Sequence, residues 1–561
     1  MMLRLAPRRV NARRAGDTWY LESPIALREH PATLGEVFVR AAQQHPNREL
    51  LIERRNGTLH RLTYAEALGA AERVAAVVGG PVMALSGNSV NHALVMLGCF
   101  LAGVPFVPVS PAYSLVSQDF AKLRAVVSRV KPSLVYLESR APFERALGAI
   151  AGVPIADAEW LARLHVTKQR AEVRGDDVAK ILFTSGSTGF PKGVPNTHRM
   201  LCANQQMIAQ LWPFLEEGEP PVLVDWLPWS HTFGGNHNFN MVLAHGGTLL
   251  VDEGKPAPQL LGASLKNLME VPPTLYFNVP AGYASLVPHL EKDDALRKAF
   301  FSRLQVMFYA AAALPPDLWT RLVALAKKTT DRDVFMTTAW GSTETSPLAT
   351  SAHFPLEGAG NIGLPAPGVT LKLVPNGRKL EVRVKGPSVM RGYMDEPELT
   401  RQAFDEEGFY RIGDAVRFVN AEDPSAGLAF DGRVAEDFKL SSGTWVSVTS
   451  VRTGVVAQCG GLVSDVVVCG QDRDAIAILA WPVPGTTREA VREALGAWNA
   501  KNGASSTRVW RAILLSEPPS IDAGEITDKG YVNQRATIDR RAGDVARLYV
   551  STPDADVIEC P

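Results

Sequence analysis

A chain of 561 residues exceeds what a single hydrophobic core serves, so about two to four domains are expected. Apolar content of 46% and charged content of 21% are those of an ordinary soluble globular protein. The 58 basic and 58 acidic residues cancel, which excludes the one-signed field that nucleic acid or an anionic membrane surface would call for. The five cysteines (Cys99, Cys202, Cys459, Cys469, Cys560) are odd in number and contain no C-x-x-C pair. A disulfide framework and a structural zinc site are therefore not expected, and a reduced, cytoplasmic setting is. No run reaches the length of a membrane span. At the N-terminus Arg4, Arg8, Arg9, Arg13 and Arg14 precede the first acid, Asp17. No apolar run follows them, and Pro7 and the short length argue against a transit peptide. The segment is expected to be an ordinary solvated strand.

From about 33 to 130, helical and strand patterns alternate. Tyr64 to Val78 is alanine-rich and helical, Val82 to Leu85 is a short buried strand, His92 to Ala102 is an apolar helix, and Gly103 to Val109 is strand and turn. This alternation predicts an α/β fold with mostly parallel, helix-covered sheets. A strand through Ile181-Leu182-Phe183 then enters a loop of Gly, Ser and Thr that ends in Pro191-Lys192-Gly193, with a helix from about His198. Glycines let the backbone close around an anion, small hydroxyls and N–H groups donate to it, and the lysine adds charge. This is polyphosphate chemistry. It is not a Walker A loop, because Gly193 and not Ser or Thr follows Lys192. Further buried strands are predicted at Val222 to Leu227, Thr248 to Val251, Val306 to Tyr309 and Val334 to Thr337.

From about 369 the pattern becomes short strands and turns, which predicts a small β-rich subdomain at about 369–433. Residues 434–561 then mix strands (Asp465 to Cys469, Ala475 to Trp481) with a helix (Arg488 to Lys501), a smaller, mobile α+β lid domain following the large domain of residues 1–433.

Four other segments carry chemistry. After a strand, Thr338 to Thr345 offers Trp340 as a cover for a flat base, Thr343 as a phosphate donor and Glu344 as a single carboxylate for Mg²⁺. Gly408 to Asp414 ends in an acid suited to the two hydroxyls of a ribose. Arg433 and Lys439 flank the domain junction, with Gly443 in the turn beyond. Gly524 to Gly530 is a polar loop from which Lys529 can reach a distant site as a point charge.

In this order the segments resemble the core motifs of the adenylate-forming superfamily of acyl-CoA synthetases, adenylation domains and luciferases. Leu62 to Glu66, Leu101 to Val109, Trp229 to Gly234 and Glu381 to Tyr393 agree with its other motifs. Leu85 to Ser89, Ser110 to Phe120 and Glu525 to Tyr531 are most similar to the bacterial feruloyl-CoA synthetase branch. Two departures stand out. The superfamily commonly has Gly-Lys-Ile where this chain reads Gly524-Glu525-Ile526, the lysine being displaced to Lys529, and the hinge position is Ala435.

The resemblance implies ATP, Mg²⁺ and coenzyme A, a carboxylic acid as the small-molecule partner, no nucleic acid and no membrane, with monomer and homodimer both open. It implies that Thr184, Ser185, Gly186, Ser187, Thr188, Gly189 and Lys192 cradle phosphates and that Thr343 and Glu344 serve the Mg²⁺-nucleotide. Trp340, Gly341, Ala311 and Ala312 would enclose adenine, with Asp414 and Arg433 on the ribose. Lys529 would bridge the acyl carboxylate and the α-phosphate. Rotation of the lid would then bring Lys439 and Gly443 to the pantetheine path while His231 gates the acyl pocket. Asn236, Asn278, Tyr309 and Ala310 are polar or small side chains for a flat hydroxylated ring. The implied reaction is formation of an acyl-AMP and then an acyl-CoA, with ferulate or a related 4-hydroxycinnamate as the small aromatic acid. The alternatives are another aryl or fatty acid, a ligase that loads a carrier protein, and a non-catalytic nucleotide-binding homologue.

Overall fold

The computed structural model describes residues 3–168, 170–184, 190–528 and 530–561. The alternation near the N-terminus becomes a six-stranded sheet. Phe106–Pro108, Val82–Ala84, Leu134–Tyr136 and Ile155–Ala156 run parallel, and Val178–Thr184 joins Phe106–Pro108 on the other side. The helix Val90–Ala102 is buried on nearly every side. Ser89 caps its start by accepting from the His92 amide, and Gly103 ends it in the left-handed conformation (φ 68°). Its Gly98 packs so closely on the helix Tyr64–Ala75 that a Cβ would lie 2.5 Å from Val74. That second helix starts with a reciprocal capping box between Thr63 and Glu66.

A four-stranded sheet adds Val222–Asp225, Thr248–Val251, Glu49–Arg55 and Thr58–Thr63. The largest sheet has eleven strands and crosses the predicted subdomain limit. Leu275–Asn278, Val306–Tyr309 and Phe335–Gly341 are parallel, and every further pairing is antiparallel. The β-rich stretch is thus continuous with the α/β layer. The arginine-rich N-terminal segment is a hairpin, Asn11–Ala15 with Thr18–Glu22, that extends this sheet by pairing with Thr370–Asn376. Its arginines stay at the exposed edge, where charge discourages further pairing.

The sheet's strand Leu428–Arg433 ends where a two-stranded ribbon, Phe438–Lys439 with Trp445–Val446, begins. Beyond it, Val463–Cys469, Ile476–Pro482, Val509–Leu514 and Val557–Glu559 form a separate sheet covered by Val448–Gln458 and Arg488–Lys501, with its own buried apolar core. All five cysteines are buried and unbridged. Among the described residues no helix is long and apolar enough to cross a membrane.

Candidate active site

The predicted phosphate loop joins two antiparallel strands. Val178–Thr184 pairs with Lys192–Thr197, with Thr184 opposite Lys192 and the helix His198–Leu211 following directly. Ser185, Gly186, Ser187, Thr188 and Gly189 lie outside the described residues. At the loop's entrance the Thr184 hydroxyl is buried without a protein partner among the described residues, a donor left over for a ligand. At its exit Lys192 Nζ lies 3.5 Å from the Tyr393 hydroxyl and 4.5 Å from the centre of that ring. Burial lowers the Lys192 pKa, and Glu344 opposes that shift.

Glu344 occupies a single helical turn, Thr343–Thr345, after the strand Phe335–Gly341. Gly341 makes the turn possible, because a Cβ there would lie 1.8 Å from the Pro347 carbonyl oxygen. Thr343 is buried, and its carbonyl accepts from Asn196 Nδ2 at 3.2 Å. The Tyr393 hydroxyl donates to Glu344 Oε1 at 3.0 Å, and Tyr410, 3.2 Å from Tyr393, also bonds this carboxylate. Burial, with the Glu344 charge beside them, raises both phenol pKa values, so both stay donors. Among the described residues no three His, Cys, Asp or Glu side chains cluster as a metal cage. Glu344 offers a single carboxylate, the donor type with which Mg²⁺ is held beside polyphosphates.

Asp414 and Arg433 face each other across neighbouring strands. Trp340 Nε1 donates to Asp414 Oδ2 at 2.9 Å, and Arg433 Nε is 3.0 Å from Oδ1. The Arg433 contact is a charge pair without a directed hydrogen bond to Oδ1, which leaves that oxygen's lone pairs for a hydroxyl donor. Burial raises the Asp414 pKa, and Arg433 and Trp340 pull against it. Trp340 thus orients the carboxylate as well as offering a face. Ala311 and Ala312 are exposed on the loop after Val306–Tyr309, Ala311 with a left-handed φ of 73°. Tyr309 turns away from them. Its ring packs edge-on against Trp319, and its hydroxyl accepts from the Gly360 amide at 3.3 Å.

On the acid side, His231 precedes a π-helical turn, Phe233–Asn238. The wide turn needs Gly234 and Gly235, whose Cβ atoms would lie 2.3 Å from the carbonyl oxygens of Leu227 and Trp229. Two buried ionisable groups hold it. Lys180 Nζ donates to the Gly235 carbonyl at 2.6 Å, and Asp225 Oδ2 accepts from Asn238 Nδ2 at 2.9 Å. Burial brings both pKa values to about 7, down for Lys180 and up for Asp225. Asn278 does not present a free amide, whereas Asn236 keeps its Oδ1 buried and without a partner among the described residues. Asn236 Nδ2 donates to Asn196 and Thr232, and Asn278 joins Trp226, Tyr276 and the Val279 amide. Ala310 is half-buried beside them, its amide 3.4 Å from the Asn278 carbonyl. Sequence reasoning missed His237, which lies against Phe277 and Phe308 with Nε2 buried and unpartnered among the described residues.

The C-terminal loop reaches this same site. A bridge between Ile526 and Val532 closes a hairpin whose tip holds Asp528, and Asp528 Oδ2 lies 3.6 Å from His231 Nε2. Lys529 lies outside the described residues. Glu525, at the position where the resemblance leads one to expect lysine, is fully buried. It pairs with Arg540 and Arg541 and accepts from the Ser520 amide at 2.9 Å. An acid there anchors the hairpin base, which accounts for the departure. Lys439 and Gly443 lie elsewhere, on the exposed ribbon. Lys439 Nζ is 5.0 Å from the Trp445 ring, and neither residue bonds to the Lys192–Glu344–Asp414 group among the described residues. Tyr393, Tyr410 and Asp528 were passed over although each lies inside a string already singled out.

Residues 38–394 match the AMP-binding enzyme family. The chain belongs to that family. It is 26% identical over 550 residues to the mitochondrial malonate–CoA ligase of Mus musculus, covering 89% of this chain and 90% of that one. It is 28% identical over 403 residues to a feruloyl-CoA synthase of an Amycolatopsis species, covering 68% of this chain and 76% of that one. The anthranilate CoA ligase AuaEII, solved with anthranoyl-AMP, superposes with a TM-score of 0.74 at 20% identity, over 92% of this chain and 98% of that chain. The large sheet domain followed by a smaller C-terminal domain is the architecture of adenylate-forming enzymes.

Proposed function

We propose that this chain is an ATP-dependent acid–CoA ligase that forms an acyl-AMP and then an acyl-CoA, with ferulate or a related 4-hydroxycinnamate as the acid. The observation that carries this reading is convergence. Lys192, Glu344 and the Asp414–Arg433 pair come from separate segments to one side of the site, and the Asp528 hairpin reaches His231 on the other. The choice of acid is supported by the strings at 110–120 and 525–531 and by the feruloyl-CoA synthase relative.

In the first step a carboxylate oxygen attacks the α-phosphorus, a new P–O bond forms and pyrophosphate leaves. Thr184, Ser185 to Gly189 and Lys192 bind the departing phosphates, Asp414 and Arg433 fix the ribose, and the role of bridging the two anions that must meet is assigned to Lys529. Positioning and charge neutralisation supply the acceleration. Mg²⁺, held by Glu344, would neutralise phosphate charge. In the second step the CoA thiol loses its proton, sulfur attacks the acyl carbonyl and AMP leaves. We place the moving unit at residues 434–561, so that rotation withdraws Lys529 and presents Lys439 and Gly443. The reaction is assigned to the cytoplasm.

A panel of ferulate, 4-coumarate, malonate, benzoate and a medium-chain fatty acid, assayed with ATP, Mg²⁺ and CoA, tests the assignment. Ferulate and 4-coumarate are expected to give the highest kcat/KM for thioester. A clear preference for malonate rejects the aromatic assignment, and acyl-AMP formation without CoA-dependent release points to carrier loading.

A further inference from the structure

The string at 110–120 touches Ile521 and Asp522, the residues just before the other string that sets this sequence apart (525–531), across the two domains. Ser117 Oγ donates to Asp522 Oδ1 at 2.6 Å, and the Gln118 amide donates to Asp522 Oδ2 at 2.9 Å. Lys122 Nζ donates to the Ile521 carbonyl. Ile521 and Ile526 pack into the apolar cluster that holds Tyr113, Leu123, Ile181 and Phe183. Ile181 and Phe183 belong to the strand that ends at Thr184, so the docking point lies on the strand feeding the phosphate loop.

The N-domain side is shaped for this contact. Phe120 has a left-handed backbone (φ 52°, ψ 18°), which a bulky side chain rarely adopts. Ser117 Oγ accepts from the Phe120 amide at 3.0 Å and so holds that turn while its own proton goes to Asp522. Asp119 Oδ1 accepts from the Ala121 amide at 2.8 Å, and Arg145 both bonds Gln118 and lies over the Phe120 ring. On the other side, Asp522 stands on the Glu525-anchored hairpin that carries Asp528 to His231. Rotation of residues 434–561 must break every one of these cross-domain bonds.

We propose that Ser117, the Gln118 amide and Lys122 form a latch that receives Asp522 and Ile521 and holds the C-terminal domain in the acyl-AMP-forming arrangement. Ser117 and Asp522 are positioning residues for the first half-reaction alone. This rests on the two-step reading above. The latch also gives the string at 110–120 and the segment at 521–526 a joint role in domain docking, separate from the choice of acid.

Ser117→Ala and Asp522→Ala are expected to slow acyl-AMP formation from ATP and ferulate by about 10-fold or more, the scale of a lost charge-assisted hydrogen bond. Thioester formation from supplied feruloyl-AMP and CoA should be unchanged or faster. Equal losses in both half-reactions, or none in either, overturn the latch. A second test needs no turnover. The native cysteines are all buried and unbridged, so a new bridge formed in Ser117→Cys with Asp522→Cys under a mild thiol oxidant such as diamide is assignable to that pair. The disulfide is expected to form and, in the oxidised protein, to permit acyl-AMP formation while blocking its conversion to thioester until the bond is reduced. Failure to cross-link, or an oxidised protein that completes both steps at the unmodified rate, overturns the proposal. If the disulfide forms but wild-type protein adenylates no acid of the panel, the ligase reading fails and takes the latch's catalytic role with it, while the contact between the domains remains.

Discussion

The two sides of the site, one proposed for the nucleotide and the other for the acid, differ in what surrounds their polar groups. On the nucleotide side, polar groups converge and keep capacity in reserve: the Thr184 hydroxyl has no protein partner among the described residues, and Asp414 Oδ1 carries no directed bond. On the side proposed for the acid, Asn278 spends its amide on neighbouring protein groups, Asn236 Oδ1 and His237 Nε2 are single polar atoms without a partner among the described residues, and the rings of Phe233, His237, Phe277 and Phe308 pack together around them. Chemistry common to all acids calls for fixed charges at fixed places. Selection of one acid calls for shape, which is distributed over many contacts.

The largest effect that would break this contrast is at Lys529. Its alanine variant is expected to lose acyl-AMP formation by about 100- to 1000-fold, the range for removing a preorganised charge from a developing anion. Thioester formation from supplied acyl-AMP should persist. Equal loss in both half-reactions, measured by pyrophosphate exchange and by CoA-dependent AMP release, would remove Lys529 from the role proposed for it. Next in size, Asp414→Ala should raise the KM for ATP by about 10- to 100-fold, as expected for hydrogen bonds to a charged acceptor. The KM for the acid should hardly move. A parallel rise in both would mean that the two sides are not separately built.

The same contrast governs what was legible in the sequence. That Lys192, Glu344, Asp414 and Arg433 lie near one another was readable, because the chemistry proposed for them restricts residue type and places it in short strings that follow strands. The helix Arg488–Lys501 was read at its observed bounds because its apolar period is regular. Pairing of the N-terminal hairpin with Thr370–Asn376 was not readable, since nothing local links positions separated by some 350 residues along the chain. Asn278 looked like a free recognition group because sequence shows a polar side chain without showing which neighbours already bond it. Glu525 looked like a displaced motif, and its partners Arg540 and Arg541 became visible only once the following helix was folded back upon it.

A smaller effect sharpens the acid side. Because Asn278 satisfies Trp226, Tyr276 and Val279 together, Asn278→Ala should cost about 1–3 kcal/mol of stability by leaving buried groups unpaired. The order of acids in the panel should stay the same. A changed order at unchanged melting temperature would return Asn278 to the substrate pocket.

The smallest effect concerns Lys180, which is fully buried and donates to the π-helical turn at Gly235. Its ordinary pKa of 10.5 falls to about 7 in the folded protein because burial disfavours the charged ammonium. Between those values the unfolded chain holds a proton that the folded chain does not. Unfolding free energy must therefore rise with pH through that window, by about 1.4 kcal/mol per pH unit from this group. Below pH 7 both states are protonated, so the contribution is flat and the burial penalty is greatest. Above 10.5 both are neutral and the penalty is gone. Lys180→Met keeps the chain length and removes the titration. The difference in stability between wild type and variant, followed by denaturant unfolding at pH 7.5, 8.5 and 9.5, should shift toward the wild type at each step (about 1.4 kcal/mol per unit). A pH-independent difference would mean that Lys180 holds its proton in the folded state and clamps the turn as a cation. The two sides of the site would then both rest on fixed charge, and the contrast between them would narrow to how many lone pairs each leaves for a ligand.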